Sequence, residues 1–329
     1  MIHPDSRGLA CPVGGFHIDP WAPVPVAVLT HAHADHARPG SSVYHASEAS
    51  LGLLRKRLGP QAVLHGHPYG APFVLGDTLV SLHPAGHVLG SAQVRVAGPD
   101  GVWVVSGDYK RAPDPTCAPF EVVPCDVFIT EATFGLPIYR WPSMEHVLDE
   151  ILEWWQANAR AGRASLLLVY ALGKAQRLLA GLAGRVDAPV LVHGAVSGLL
   201  EPYHAAGIAL AETATVGEVG RRADFAGRLI MAPPSAAATP WTKRFGDVAL
   251  GFCSGWMQIR GNRRRRGYER GFVVSDHADW GALLATIEQT GAERVYVTHG
   301  YHDTLARYLA DHGWQAAPLE TLYGDDAEA

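Results

Sequence analysis

Residues 30–36 read Thr-His-Ala-His-Ala-Asp-His, so His31, His33, Asp35 and His36 occupy six consecutive positions behind the apolar run "VPVAVL". In an extended segment, residues two apart project the same way. His31 and His33 can therefore grip one ion together, while the turn that follows aims Asp35 and His36 elsewhere, towards a second ion. Imidazole and carboxylate without thiolate suit zinc, with manganese and iron also compatible. His87, Asp108 and His299 would complete two coordination shells if Asp108 is shared between them. Any one of these side chains, His87 for instance, is by itself more simply a hydrogen-bonded loop residue. The set as a whole is not, because its members recur at the ends of apolar runs: "VLTHAHADH", "LHPAGHVLG", "VVSGD", "FITEA", "FVVSDH" and "YVTHG". Residues at strand ends can converge on one crevice although far apart in sequence. Two ions held together lower the pKa of bound water and clamp the oxygens of an in-line displacement. That chemistry serves phosphodiesters, lactones, thioesters and β-lactams alike, so the donors alone do not choose a substrate.

The elements that must position these residues are legible in outline. "VPVAVLT", "PFVLGDTLVSLH", "AQVRVAG", "GVWVVSGD" and "CDVFITEA" read as short strands, predicting a sheet built through hairpins. In "SMEHVLDEILEWWQANARAG", Val147, Leu148, Ile151, Leu152 and Trp155 recur at helical spacing behind Pro142 and Ser143. "SLLLVY", "APVLVHG" and "GRLIMAPP" then alternate with helical "GKAQRLLAGLAG" and "VSGLLEPYHAAG", the pattern of a parallel α/β unit. "GFVVSDH", a helix from Asp279, "RVYVTHG" and a helix from His302 resume it towards the end.

The 329 residues, 48% of them hydrophobic, suffice for a core without staples. Cys11, Cys117, Cys125 and Cys253 show no CxxC spacing, so neither a disulfide framework nor a cysteine zinc site is expected. Without a recognisable leader or a long apolar span, the expectation is a cytoplasmic protein with no membrane partner. A formal net charge of −5 argues against nonspecific polyanion binding. Yet residues 243–270 hold eight of the 27 Lys and Arg and only two acids. Arg260, Arg263, Arg264, Arg265, Arg266 and Arg270 there are either a solvated loop or a track for a phosphate backbone. Tyr268 and Trp256 beside them could stack bases, although aromatic residues in such a context are more often core.

"THAHADH" matches the HxHxDH signature of the metallo-β-lactamase superfamily. His87 in "AGHVLGSA" and Asp108 in "SGDYK" match its third and fourth motifs. Asp19 in "FHIDPW" matches the first, an acid that supports the ligands from behind. The resemblance implies a four-layer αββα sandwich with a dinuclear site at its rim. It places one metal on His31, His33, His87 and Asp108, and the other on Asp35, His36, Asp108 and His299. Between Glu131 and His277 lie about 145 residues of mostly α/β pattern, which resembles the inserted domain of the β-CASP nucleases. That implies a sandwich of residues 1–138 and 271–329 with an inserted domain at 139–270. It also implies catalytic roles for Asp35, Asp108, Glu131 and His277, the last beside the scissile phosphate and oriented by Glu131. "YALGKAQRLL" resembles a turn that the family carries towards its cleft, with Lys174 on a phosphate.

"EATFGLPIYRWPSMEHV" looks like the DNA-repair side of this branch, with Ser143 offered to a terminal phosphate. "AGHVLGSA", "ALGKAQ" and a histidine at the last motif look like the enzymes that process mRNA 3′ ends. The mixture and the compact length resemble bacterial ligase-associated DNA exonucleases. The expectation is a phosphodiesterase with two divalent ions, zinc first, acting 5′ to 3′ on single-stranded DNA in repair. By family association a DNA ligase and a helicase would be partners. RNA processing is the alternative, and a small-molecule metallohydrolase a more distant one. A scaffold without activity should have lost ligands, and none is missing.

Overall fold

The structure, a computed structural model, describes residues 1–220, 224–237, 239–259, 261 and 267–322. Arg260, Arg263, Arg264, Arg265 and Arg266 lie outside the described residues. The chain divides into two compact units, one of Met1–Arg140 with the described residues from Asp276 onward, the other Trp141–Ser275.

The first unit holds two sheets. One runs in chain order through His3–Pro4, Leu9–Cys11, Phe16–Ile18, Val26–Val28, Val43–Ser47 and Leu64–His67. The other has the order Gln315–Pro318, Arg294–Thr298, Val127–Glu131, Gly101–Val105, Ala92–Gly98, Thr78–Pro84 and Phe73–Leu75. Side chains alternate across each strand, and the burial follows. Phe16, Ile18 and Val28 of the first sheet meet Val80, Val94, Val105 and Ile129 of the second in one apolar layer. On the second sheet's other face, Val104, Phe128, Val295 and Val297 pack against the helices Trp280–Thr290 and His302–Asp311. The helix Leu51–Leu58 buries Leu53 and Leu54 and lies against Gly66 of the first sheet. The layers are therefore helix, sheet, sheet, helix: an αββα metallo-β-lactamase fold. The hairpin expectation holds for residues 3–18 and 73–105, whose consecutive strands pair antiparallel. From Phe16–Ile18 to Leu64–His67 the first sheet is parallel, because its linking segments cross back over the face before the next strand begins.

The second unit is built on one parallel sheet, ordered Thr213–Thr215, Val190–Val192, Leu229–Ala232, Ala164–Leu168, Val248–Cys253 and Arg270–Phe272. Its central strand Ala164–Leu168 is buried throughout, as a parallel strand covered on both faces must be. Helices Met144–Arg160 and Lys174–Leu182 cover one face, while Ala236 and Phe245 lie on the other. The helix expected through "VSGLLEPYHAAG" divides into Gly194–Ser197 and Leu200–Ala205. Gly198 ends the first, and Pro202 is tolerated in the opening turn of the second, where its missing N–H costs nothing.

Candidate metal centre

Each of the seven His and Asp residues expected as metal ligands lies in the first unit, and the structure brings them together. The HxHxDH segment follows the strand Val26–Val28, Asp108 follows Gly101–Val105, and His299 follows Arg294–Thr298. His31 Nε2 lies 3.1 Å from His33 Nδ1, which lies 3.0 Å from His87 Nε2. Asp108 Oδ2 is 3.4 Å from His31 Nε2 and 3.7 Å from His87 Nε2. The same oxygen is 3.5 Å from His36 Nε2, and Asp35 Oδ2 is 3.6 Å from that nitrogen. His299 stacks on His36 with ring centroids 5.2 Å apart. Two groups of donors result, one of His31, His33, His87 and Asp108 and one of Asp35, His36 and His299, with the Asp108 carboxylate reaching both.

The ring tautomers follow from what stands behind each ring. Thr30 donates its hydroxyl hydrogen to Asp19 Oδ2 at 2.5 Å, so it accepts from His31 Nδ1 at 2.9 Å. His87 Nδ1 donates to the carbonyl of Asp276 at 2.8 Å. His36 Nδ1 donates to Asp19 Oδ2 at 2.7 Å. For His31 and His87 this leaves Nε2 as a lone-pair donor facing the cluster, the arrangement by which outer partners fix metal-binding imidazoles. His31 and His87 both turn such lone pairs towards His33 Nδ1, and a single N–H there can satisfy only one of them. Asp108 Oδ1, also buried, receives no hydrogen bond among the described residues. A cation among these atoms resolves both conflicts, so the donor set fits divalent metal ions.

The charges point the same way. Burial, with the neighbouring His36, pushes His31 down to about 4, and burial holds His87 well below the ordinary histidine value. Both are therefore neutral and available as donors. Burial also opposes charge on His36, but the carboxylates of Asp108, Asp35 and Asp19 outweigh it and raise the ring to about 10. Asp108 is held well below the usual carboxylate range, because the surrounding imidazoles, His36 foremost, outweigh the cost of its burial.

Backbone shape contributes as well. Asp19 (φ 42°) and His299 (φ 62°) are the non-glycine residues with positive φ among the described residues. Asp and His are several-fold enriched in that region, and such conformations persist where surroundings over-determine them. Gly107 (φ 55°) lets its loop close on Thr30: a Cβ there would lie 2.7 Å from the Thr30 hydroxyl.

Glu131 and His277 form a second constellation beside the first. His277 Nδ1 donates to Glu131 Oε2 at 2.9 Å, and Glu131 Oε1 accepts the Tyr109 N–H at 2.7 Å. Both side chains are buried, and the His277 ring centroid is 4.7 Å from that of His87. The helix start nearby is capped by Asp279, which accepts from Ala282 N, so His277 is not spent as a cap.

The remaining expected site residues lie in the second unit. Lys174 opens the helix Lys174–Leu182 and is buried, with Nζ 4.2 Å from the Tyr170 ring centroid. Gly173 (φ 88°) makes the turn before it, and its N–H is held by Gln176 Oε1 at 2.8 Å. Arg177, one turn further, is buried and donates to the Ser275 carbonyl at 2.7 Å. Nothing in its sequence context separates it from a surface arginine. Ser143 is exposed and caps the helix Met144–Arg160 by accepting from His146 N at 3.3 Å. Tyr268 and Trp256 pack partly buried against the apolar layer around Phe252. The roles of Thr30 and of the Asp276 carbonyl are likewise invisible in the sequence, since neither residue type nor spacing marks them.

No family model matches the chain. A protein of Opitutus terrae named "Probable DNA ligase" is 30% identical over 316 residues, 94% of this chain and 30% of that protein. "Endoribonuclease ysh1" of Aspergillus fumigatus is 40% identical over 101 residues, 29% of this chain and 11% of that one. The chain thus spans under a third of the length of either relative. A crystal structure of a protein of unknown function from Enterococcus faecalis V583 shares the fold, with a TM-score of 0.57 and 14% identity over 91% of this chain and 78% of that one. With its HxHxDH segment, the converging His87, Asp108 and His299, and these relatives, the chain resembles the β-CASP branch of the metallo-β-lactamase superfamily.

Proposed function

We propose that this protein is a two-metal phosphodiesterase that shortens single-stranded DNA from the 5′ end. The observation that carries the hydrolytic reading is the Asp108 carboxylate, whose Oδ2 lies within 3.4–3.7 Å of ring nitrogens of His31, His36 and His87. His31, His33, His87 and Asp108 would hold one ion, and Asp35, His36, Asp108 and His299 the other. Zinc suits this donor set best. Two such ions supply Lewis acidity to a phosphate and bring the pKa of bound water towards ~7. The chain's own residues do the rest. Asp19, through Thr30 and directly, keeps His31 and His36 in the donor tautomer. Glu131 accepts the Nδ1–H of His277, and its carboxylate would stabilise the cationic ring, the form in which the other nitrogen also carries a proton. His277 would stabilise the phosphate and protonate the departing oxygen, a poor leaving group without such help. Lys174 would offer a donor to a backbone phosphate, as would Ser143 to a terminal one. Arg263, Arg264, Arg265 and Arg266 add sequence-independent attraction.

The DNA reading rests on the alignment of nearly the whole chain with a protein named for DNA ligation. End trimming before ligation is the role it suggests, with a DNA ligase as partner. RNA is the second reading, supported by relatives named as endoribonucleases. One assay separates them: metal-loaded protein on a single 3′-labelled sequence, made as DNA and as RNA, with 5′-phosphate or 5′-hydroxyl, and a chelator control. Progressive shortening of 5′-phosphorylated DNA with RNA spared is the expected result. Preferential cutting of RNA would move the protein to RNA processing, and silence on all four substrates would overturn the nuclease reading.

A further inference from the structure

Away from the metal centre, three histidines share one face of the first sheet. His45 stands directly across the parallel ladder from His65, and Ser47 across from His67. His65 and His67, two apart on one strand, project to the same side as His45. His45 Nδ1 and His67 Nε2 are 2.9 Å apart, close to the 3.0 Å between His33 and His87 in the candidate metal centre. The His65 and His67 rings stack beside that of His45 at 5.1 and 5.2 Å, and Phe73 closes one side, 3.5 Å from His67. Leu64–His67 is the terminal strand of its sheet, and His65 is exposed.

We propose that His45, His65 and His67 form a further metal site, taking one divalent ion of the zinc–copper class independently of the catalytic pair. His45 and His67 supply a preformed pair of nitrogens, and exposed His65 turns in as the third. An all-imidazole set selects zinc, copper or nickel over magnesium and calcium. Burial and the neighbouring imidazoles also lower His45 to about 4 and His67 below its ordinary value, which keeps their lone pairs free of protons near neutral pH. The ion would clip the edge strand to its neighbour.

The test is metal stoichiometry. Protein saturated with Zn²⁺ and desalted should carry about one equivalent more per chain than His45→Ala/His67→Ala treated alike. With the other sites filled by zinc, substoichiometric Cu²⁺ should give an electron paramagnetic resonance spectrum with nitrogen coupling that the double variant lacks. His65→Ala, at an exposed position that the fold does not need, should lower Cu²⁺ affinity on the order of tenfold. An unchanged metal count in a folded double variant, or unchanged Cu²⁺ affinity in His65→Ala, overturns the proposal.

Discussion

Both units place polar groups at the ends of buried strands, but they collect opposite kinds. In the first unit the strand ends gather lone pairs: His31 and His87 present Nε2, and Asp108 sits among them with its charge retained. In the second, the turn and helix after Ala164–Leu168 gather cationic donors: the Lys174 ammonium and the Arg177 guanidinium. The first set suits a cation, whereas the second is itself cationic. The lesson is that strand-end geometry is generic, while the direction of the hydrogen-bonding groups decides what each unit binds.

Substitutions can break this contrast in order of expected effect. Asp108→Ala removes the carboxylate shared by both donor groups, so metal content should collapse and hydrolysis fall at least about 10³-fold. Two ions retained by atomic absorption would deny Asp108 its bridging role. His277→Ala should keep both ions yet lower kcat on a DNA strand by about 10²–10⁴-fold. Bis(p-nitrophenyl) phosphate, whose leaving group needs no proton, should lose far less, and equal losses would remove the acid role. Lys174→Ala tests the second unit alone: KM for a long strand should rise about tenfold with a shallower salt dependence, while turnover of the small diester stays constant.

The smallest effect concerns stability. Folded His45 takes up its proton near 4 rather than 6.5, so on acidification the unfolded chain is protonated first. Its contribution is complete above about 6.5 and is lost as the pH falls towards 4. Melting temperature followed across that window should decline less steeply in His45→Gln than in the wild type.

The metal centre was legible because its chemistry is written in residue types: HxHxDH, His87, Asp108 and His299 need only strand ends to meet. The helix behind Ser143 was legible from its periodicity, and the alternation after it announced the parallel sheet. What stayed hidden works through the backbone or through common residues. Asp276 fixes His87 with a carbonyl, which any residue would possess. Thr30 relays Asp19 to His31 with a hydroxyl indistinguishable in sequence from those of other strand threonines. The first three strands, two or three residues each, are too short for alternation to register, and their pairing is settled by the sheet they join. His45, His65 and His67 meet only because two strands align in register.

The hydrogen bond from His87 to Asp276 joins positions 189 apart, and the strand Val127–Glu131 pairs with Arg294–Thr298. Residues 141–275 are contiguous, whereas the first unit is interrupted by them. During synthesis the second unit is thus complete while the first still lacks a helix layer, two strands, His277 and His299. Non-local pairing of this kind is slow to form, and domains fold as units as they emerge. Ribosome-arrested chains ending near residue 275 should therefore show a protease-resistant second unit beside an unfinished first. Completion of the His and Asp cluster then becomes one of the last events in the birth of the protein, since His299 reaches it only after the second unit has been made.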